Sequence, residues 1–508
     1  MTTIDPRYRV EQLDAPRAGL REWLALSVLM LPVLLTSIDN TVLSFALPQV
    51  STALHPTGEQ MLWLVDIYPL MLAGLLVAMG SLGDRVGRRR LLLIGAVGFG
   101  IASVCAAFST SPEALFASRA LLGVFGATLM PSTLSLIRNI FAHRDDRRLA
   151  IATWAAMFAG GAALGPVMGG WLLVHFWWGS VFFINVPIIA IFLVAAVFLL
   201  PESRDPRPGR IDILSIVLSM TAMLPFVFGI KQAAEHGFSD PALIGFGVGI
   251  ASGVLFVRRQ HRLVDPLIDM TLFSDRVFSG AIVANLLSLM GYAGFMFFAA
   301  QFLQLVVGLS PLSAATVLLP GLLVTVLAGF AAVRLVRFFP ARALVAGSFG
   351  LSAAGYAIAA FIGTPSTVSI MIAFSVLGLG IGLAETLTND LMLSSVPPYK
   401  AGAASAISET AYEVGAVLGT AVLGSILTST YRSHLTVPAV AQWGENDSSF
   451  ETLGGTVEYA KFYPNGVGEA MLRSAHEAFD LGVQLTSATA IIVALAAAVV
   501  SWRALKGA

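Results

Sequence analysis

Six carboxylates interrupt long apolar stretches of the chain: Asp39, Asp66, Glu385, Asp390, Glu409 and Glu413. Arg119 does the same with the opposite charge. A charged group in hydrocarbon costs ~2.5–3.5 kcal/mol or more, so each is first a candidate for binding or moving charge. Carboxylates can do both, since they take up and release protons and pair with cations. No histidine lies deep in an apolar stretch. Proton handling therefore falls on the acids. Glu409 and Glu413 are four residues apart, which places them on one face of a helix. Two like charges that close cannot both ionise cheaply. The competing reading is that these acids are hydrogen-bonded packing residues; it weighs least for Asp39, Glu409 and Glu413 and most for Glu385 and for Asp390, near a boundary.

Other chemistries find no support. The single cysteine, Cys105, excludes a disulfide framework and any multi-cysteine metal site. No HExxH, nucleophile elbow or Walker loop occurs, so neither an enzyme nor a self-contained ATP-driven machine is expected. No metal and no cofactor is expected. The net charge of +0 argues against a nucleic-acid partner.

The elements that must position these acids follow from composition. Of 508 residues, 56% are hydrophobic and 12% charged, and the mean hydropathy is +0.82. Soluble domains carry about 25% charged residues, so lipid must cover most of this surface. A span needs about 20 apolar residues. Fourteen runs qualify, near 23–48, 61–82, 90–109, 113–137, 149–174, 179–200, 211–230, 241–257, 278–307, 312–333, 343–362, 366–394, 402–429 and 477–502. They are too long for barrel strands, which predicts an all-α integral membrane protein. The first run is expected to be a retained anchor, because no small-residue cleavage site follows the polar start.

Of the 30 Lys and Arg, 25 fall in alternate loops that include both termini. The other loops hold only Lys231, Arg432, Lys461 and Arg473, and Arg119 lies within a span. That asymmetry predicts cytoplasmic termini and an even number of spans. At 1.5 Å per residue, Asp39 lies roughly 14 Å below the outer end of its span, and Asp66 and Arg119 about 8–9 Å below theirs. The three could share a layer, and a buried arginine favours an acidic partner. A long outer segment, 431–475, carries five aromatics between Trp443 and Tyr463. It is expected either to cap the outer mouth or to be a solvated spacer.

Four motifs sharpen this reading. Gly80-Ser-Leu-Gly83-Asp84-Arg85-Val-Gly87-Arg88 joins the second and third spans, with glycines for a tight turn and an acid among basic residues. Arg119-Ala-Leu-Leu-Gly123 lies in the fourth. Gly161-Ala-Ala-Leu-Gly165-Pro166-Val-Met-Gly169-Gly170 lies in the fifth, where glycines four apart permit close helix packing and Pro166 a kink. Ile38-Asp39-Asn40-Thr41-Val42 lies in the first, and Trp178-Gly to Asn185-Val-Pro187 enters the sixth.

Together these resemble the fourteen-span drug:proton antiporters of the major facilitator superfamily, over essentially the whole chain. The resemblance implies a cytoplasmic tail (1–22), an N-terminal six-helix bundle (23–200) and two linker helices with their flanks (201–277). A C-terminal six-helix bundle (278–508) would follow. It implies export of amphipathic, mainly cationic drugs driven by the proton gradient, in the cell membrane, by a monomer. Asp39, Asp66, Glu409 and Glu413 match positions where such exporters carry transport acids. Two departures stand out: Ser408 replaces a further acid beside Glu409, and no aspartate lies in the tenth span. Export of a lipid, siderophore or metabolite remains open at this point, as, more remotely, does a receptor or an embedded enzyme.

Overall fold

The computed structural model describes residues 17–204, 212–264, 266–361, 366–396, 401–437, 450–463 and 466–506. Most of the expected tail (1–22) and Trp443 lie outside the described residues. Those described are helical wherever they are regular, and fourteen helices are long and apolar enough to cross a membrane.

The N-terminal half comprises α1 (Leu20–Leu54), α2 (Gly58–Val86), α3 (Arg88–Ala107), α4 (Pro112–Ile140), α5 (Arg144–His175) and α6 (Asn185–Leu199). A short helical turn, Ser180–Phe183, leads into α6. The linker pair is α7 (Ile213–His236) and α8 (Asp240–Gln260). The C-terminal half comprises α9 (Arg276–Gln301), α10 (Pro311–Leu335), α11 (Ala341–Phe361), α12 (Thr367–Ser394) and α13 (Ala401–Leu418). Helix α13 passes through a π-helical turn (Gly419–Gly424) into Ser425–His434. A short helix, α14 (Leu453–Ala460), precedes the last span, α15 (Val467–Ala504).

Helix starts follow from the sequence. Thr57 and Gln60 form a reciprocal capping box at α2, with Thr57 Oγ1 accepting from Gln60 N at 3.1 Å and Gln60 Oε1 from Thr57 N at 3.0 Å. Ser111 caps α4 and Ser310 caps α10, each followed by a proline whose missing N–H costs nothing in the first turn. Prolines occur inside α1, α2, α4 and α5, as packed membrane helices tolerate. Apolar side chains cover the exterior as well as filling the core, and a few charged groups are buried. Ile101, Phe198 and Ile492 are 62%, 76% and 70% exposed, while Asp39, Asp66 and Arg119 are 1%, 0% and 1% exposed. The apolar exterior is the surface that lipid covers.

Within the halves α1 packs on α5, α2 on α4, α10 on α12 and α11 on α15; between them, α2 meets α13 and α5 meets α10. Helix α7 docks through Met223, Leu224, Val227 and Ile230 against Trp63 and Leu70 of α2 and Val417 and Ala421 of the α13 segment. The linker pair thus touches both halves. At its other end Arg259 clamps Asp212, the α7 cap, through two bonds of 2.8 and 2.9 Å, which hold that carboxyl down at a pKa of about 2.

Two expected boundaries move. The last span begins at Val467 rather than near 477, because Met471, Ala475 and Phe479 are buried in the protein although Arg473 and Glu477 lie between them. The long segment therefore ends earlier, and its described part, Phe450 to Tyr463, is folded. Thr452 caps α14 and its hydroxyl lies 2.7 Å from Ser51 Oγ at the end of α1. Glu451 Oε2 accepts from Gly58 N at 3.0 Å, and Tyr431 Oη lies 2.7 Å from Thr456 Oγ1. One short helix is tied to the N-terminal half and to the C-terminal half alike.

Candidate functional site

Of the acids expected from the sequence, Asp66, Glu385, Glu409 and Glu413 lie along the junction of the two halves, Asp39 is enclosed within the N-terminal half, and the structure sorts them by partner. Arg119 Nη1 donates to Asp39 Oδ2 at 2.9 Å, and its Nε donates to the Leu64 carbonyl at 3.2 Å. The guanidinium lies over the Tyr68 ring, 4.7 Å from its centroid. Asn185 Nδ2 donates to Asp39 Oδ1 at 3.4 Å and to Ser103 Oγ at 3.2 Å. The unit spans α1, α2, α3, α4 and the start of α6, sealed from solvent.

Asp66 does not share this arginine. Its Oδ2 lies 2.9 Å from Lys231 Nζ, on α7. The sequence placed Lys231 among outer-loop residues; the structure corrects this, burying it one turn inside the helix at 2% exposure. Its ammonium sits 3.9 Å from the centroid of Trp63.

Glu413 reaches across the junction, its Oε1 accepting from Asn40 Nδ2 at 3.1 Å. Glu409, one turn earlier, faces a different space. A cavity of about 200 Å³ is bounded by Trp154, Phe158, Tyr292 and Tyr412 and carries Glu385, Glu409, Asn389 and Ser408 on its wall. A smaller one of about 70 Å³ is bounded by Asn40, Asp66, Arg119 and Thr420. Tyr292, Tyr412 and Leu289 line both and partition them. No Lys or Arg lines the larger chamber, and neither Glu385 nor Glu409 has an ion pair among the described residues. Ser408 Oγ donates to Asn389 Oδ1 at 2.6 Å, so a neutral pair stands where a further acid was expected. Asp390 is exposed on α12 and does not line the chamber; its neighbour Asn389 does.

The glycine motifs hold the walls. A β-carbon at Gly161 would lie 2.8 Å from Ser37 Cβ, and one at Gly165 would overlap Thr41 Oγ1. At Gly169 it would lie 2.5 Å from Val42 Cγ2, and at Gly170 2.8 Å from Leu312 Cα. Thus α5 lies flush on α1, around Pro166, within one turn of Asp39, and touches α10 of the other half. At the opposite end of α2, Asp84 Oδ1 accepts from Arg88 Nε at 2.9 Å, and Arg88 Nη1 donates to Ser203 Oγ at 3.1 Å. Gly87, at φ +116°, makes the turn that only glycine adopts readily. Gly80 faces α4, where an added β-carbon would meet Pro131 at 3.6 Å, and Gly83 sits between α3 and α4, with Leu91 at 3.3 Å and Ser132 at 3.7 Å; Arg85 is exposed.

Comparison with known proteins agrees with this architecture. The family model described as "Major Facilitator Superfamily" matches residues 29–420. The chain belongs to the major facilitator superfamily. It is similar to the multidrug efflux pump LfrA of Mycolicibacterium smegmatis, at 52% identity over 485 residues, covering 95% of this chain and 96% of that one. It is also similar to the methyl viologen resistance protein SmvA of Salmonella typhimurium, at 35% identity, covering 94% and 97%. Among solved structures, a bacterial homologue of the human lysosomal transporter Spinster, inward-facing and occupied, superposes with a TM-score of 0.64. At 18% identity, over 94% of this chain and 96% of that one, it speaks for the fold alone. This major facilitator protein is therefore a multi-pass protein of the cell membrane with fourteen candidate spans.

Sequence reasoning missed three site residues of this major facilitator chain. Asn185 stood in a motif with no role attached. Lys231 was legible as a lone cation in an apolar run, and Tyr412, between the two glutamates, as an aromatic on their face.

Proposed function

We propose that this protein exports amphipathic, mainly cationic drugs in exchange for protons, by alternating exposure of the junction between its halves. The observation that carries the reading is the larger chamber. It joins two carboxylates, Glu385 and Glu409, to four aromatic side chains and holds no basic group. Carboxylates beside aromatic faces attract organic cations, and in the absence of a cation the same carboxylates take protons. Cation and proton then compete for one place, which is what exchange requires. The names of LfrA and SmvA, as drug-efflux and resistance proteins, agree with a drug as cargo.

Charge movement sets the driving force. Carrying one charge against 100 mV costs about 2.3 kcal/mol, whereas one proton in for one monocation out is electroneutral and runs on the pH gradient. A dication needs two protons, and Glu413, one turn above Glu409, is placed to carry the second. The sealed Asp39–Arg119 pair acts as a fixed element of the N-terminal wall, and the Asn40–Glu413 contact links the halves and breaks when they separate. The loops rich in arginine face the cytoplasm, the protein works as a monomer, and no cofactor or chemical change of the drug is involved.

The test is uptake of a fluorescent lipophilic cation into inverted vesicles energised by a pH gradient. Glu409→Gln should abolish gradient-driven uptake while the purified variant still binds the dye. Uptake at the wild-type rate in both Glu409→Gln and Glu413→Gln would refute proton coupling through these residues.

A further inference from the structure

Among the described residues, Lys231 is a buried cation that the exchange site does not use. Its side chain and that of Asp66 are 1% and 0% exposed, and the ammonium lies between the Asp66 carboxylate and the face of Trp63. The docking of α7 does not require it. The apolar cluster around Val227, and Met220 lodged where Gly74 has no side chain, already attach the helix. An ammonium retained in a span is costly where a methionine would pack as well. The pair is close, with Lys231 Nζ 2.9 Å from Asp66 Oδ2, and both side chains are buried, so the ammonium occupies the one place beside this carboxylate where another cation could sit.

The surroundings give this ion pair a second use. A carboxylate beside an indole face is the recognition chemistry of a quaternary or other organic cation. Asp66 forms part of the wall of the smaller cavity, opposite Arg119, so the cation place adjoins the cargo path. On its far side Lys231 borders a small recess with Glu59 and Arg432. Glu59 accepts from Trp63 Nε1 at 3.3 Å and lies one helical turn from that ring. The recess thus offers the flexible lysine stem a second carboxylate, Glu59, toward which its ammonium can turn.

We propose that Lys231 is a resident cation in a second subsite formed by Asp66 and Trp63, and that the cationic centre of the cargo, passing beyond the Glu385–Glu409 chamber, displaces it toward Glu59. This rests on the cation-export reading. Charge stays balanced through the swap: cargo pairs with Asp66 as the ammonium pairs with Glu59. The subsite is never left as a bare buried carboxylate, and only a cation that outcompetes a tethered ammonium gains entry. The linker helix thereby sets a threshold on cargo.

Lysine-reactive labelling of the wild-type protein in detergent, read by mass spectrometry, tests this directly. The chain has four lysines, of which Lys231 alone is buried in a span among those described. Saturating tetraphenylphosphonium should raise labelling of Lys231 several-fold and leave Lys461 unchanged. Bound tetraphenylphosphonium with unchanged Lys231 labelling would overturn the displacement. No binding of tetraphenylphosphonium at all would instead refute the cargo reading, so the two failures are distinct. A second arm measures affinity. Lys231→Met should tighten tetraphenylphosphonium binding about thirtyfold, the factor carried by one desolvated cation–π contact. Lys231→Arg, which keeps a cation over the indole, should give no tightening, and Asp66→Asn added to Lys231→Met should remove it. Tightening that survives in the double variant would show that Asp66 is not the cation's partner.

Discussion

Replacing Arg119 with methionine keeps most of the side-chain volume and removes the charge, which isolates what the buried pair contributes. Asp39 would then retain only the 3.4 Å contact from Asn185, and the Leu64 carbonyl would lose its donor. Leaving one member of a buried pair unpaired costs about 3–5 kcal/mol. The lost cation–π contact with Tyr68 accounts for ~1 kcal/mol within that range. Asp39→Asn with Arg119→Met removes both charges and should recover at least ~2 kcal/mol, because neutral replacements of a buried pair are often tolerated. Equilibrium unfolding of the two single variants and the double in detergent micelles closes the cycle. A coupling energy of ~2–3 kcal/mol is expected for groups in direct contact. Additive effects, or a single variant within ~1 kcal/mol of wild type, would refute the sealed-pair reading.

Two further outcomes follow from packing. Gly165→Val should drive α5 off Thr41 and cost ~1–3 kcal/mol of stability together with transport, whereas Gly160→Ala, on the same helix with nothing within 4 Å, should be neutral or slightly stabilising; equal effects in thermal unfolding would show that close approach of α5 to α1 is unimportant. Thr452→Val removes both the cap of α14 and its tie to Ser51, at about 1 kcal/mol for the cap, and should raise hydrogen exchange across 453–460 and alter efflux of several drugs; unchanged exchange would mean that α14 is held by other contacts.

The fourteen spans were legible because hydrocarbon imposes one rule along the whole chain, and it is visible in composition. The pairing of Arg119 with Asp39 was legible too, since a buried guanidinium has few possible partners. What escaped was long-range geometry. Lys231 ends an apolar run before Gln232, a position that reads as a residue reaching for the surface, and its partner is 165 positions earlier in the chain. Spacing set Glu409 and Glu413 on one face but not in one chamber. Helix crossing angles decide that, and they place Tyr412 between the two cavities. Asp390 and Asn389 differ by one residue, a turn of about 100°, which is enough to exchange the solvent side for the cavity. The start of α15 was read too late because Glu469 and Arg473 resemble a loop, while the buried Met471, Ala475 and Phe479 belong to a helix packed on protein beyond the apolar core.

Central to the account is that cation and proton compete for the same carboxylates. Purified protein in weakly buffered detergent, given a saturating monovalent lipophilic cation, reports this through the pH of the medium. About one proton should be released per cation bound, as electroneutral exchange requires, and Glu409→Gln should reduce the release. Cation binding with no release of protons would contradict the account.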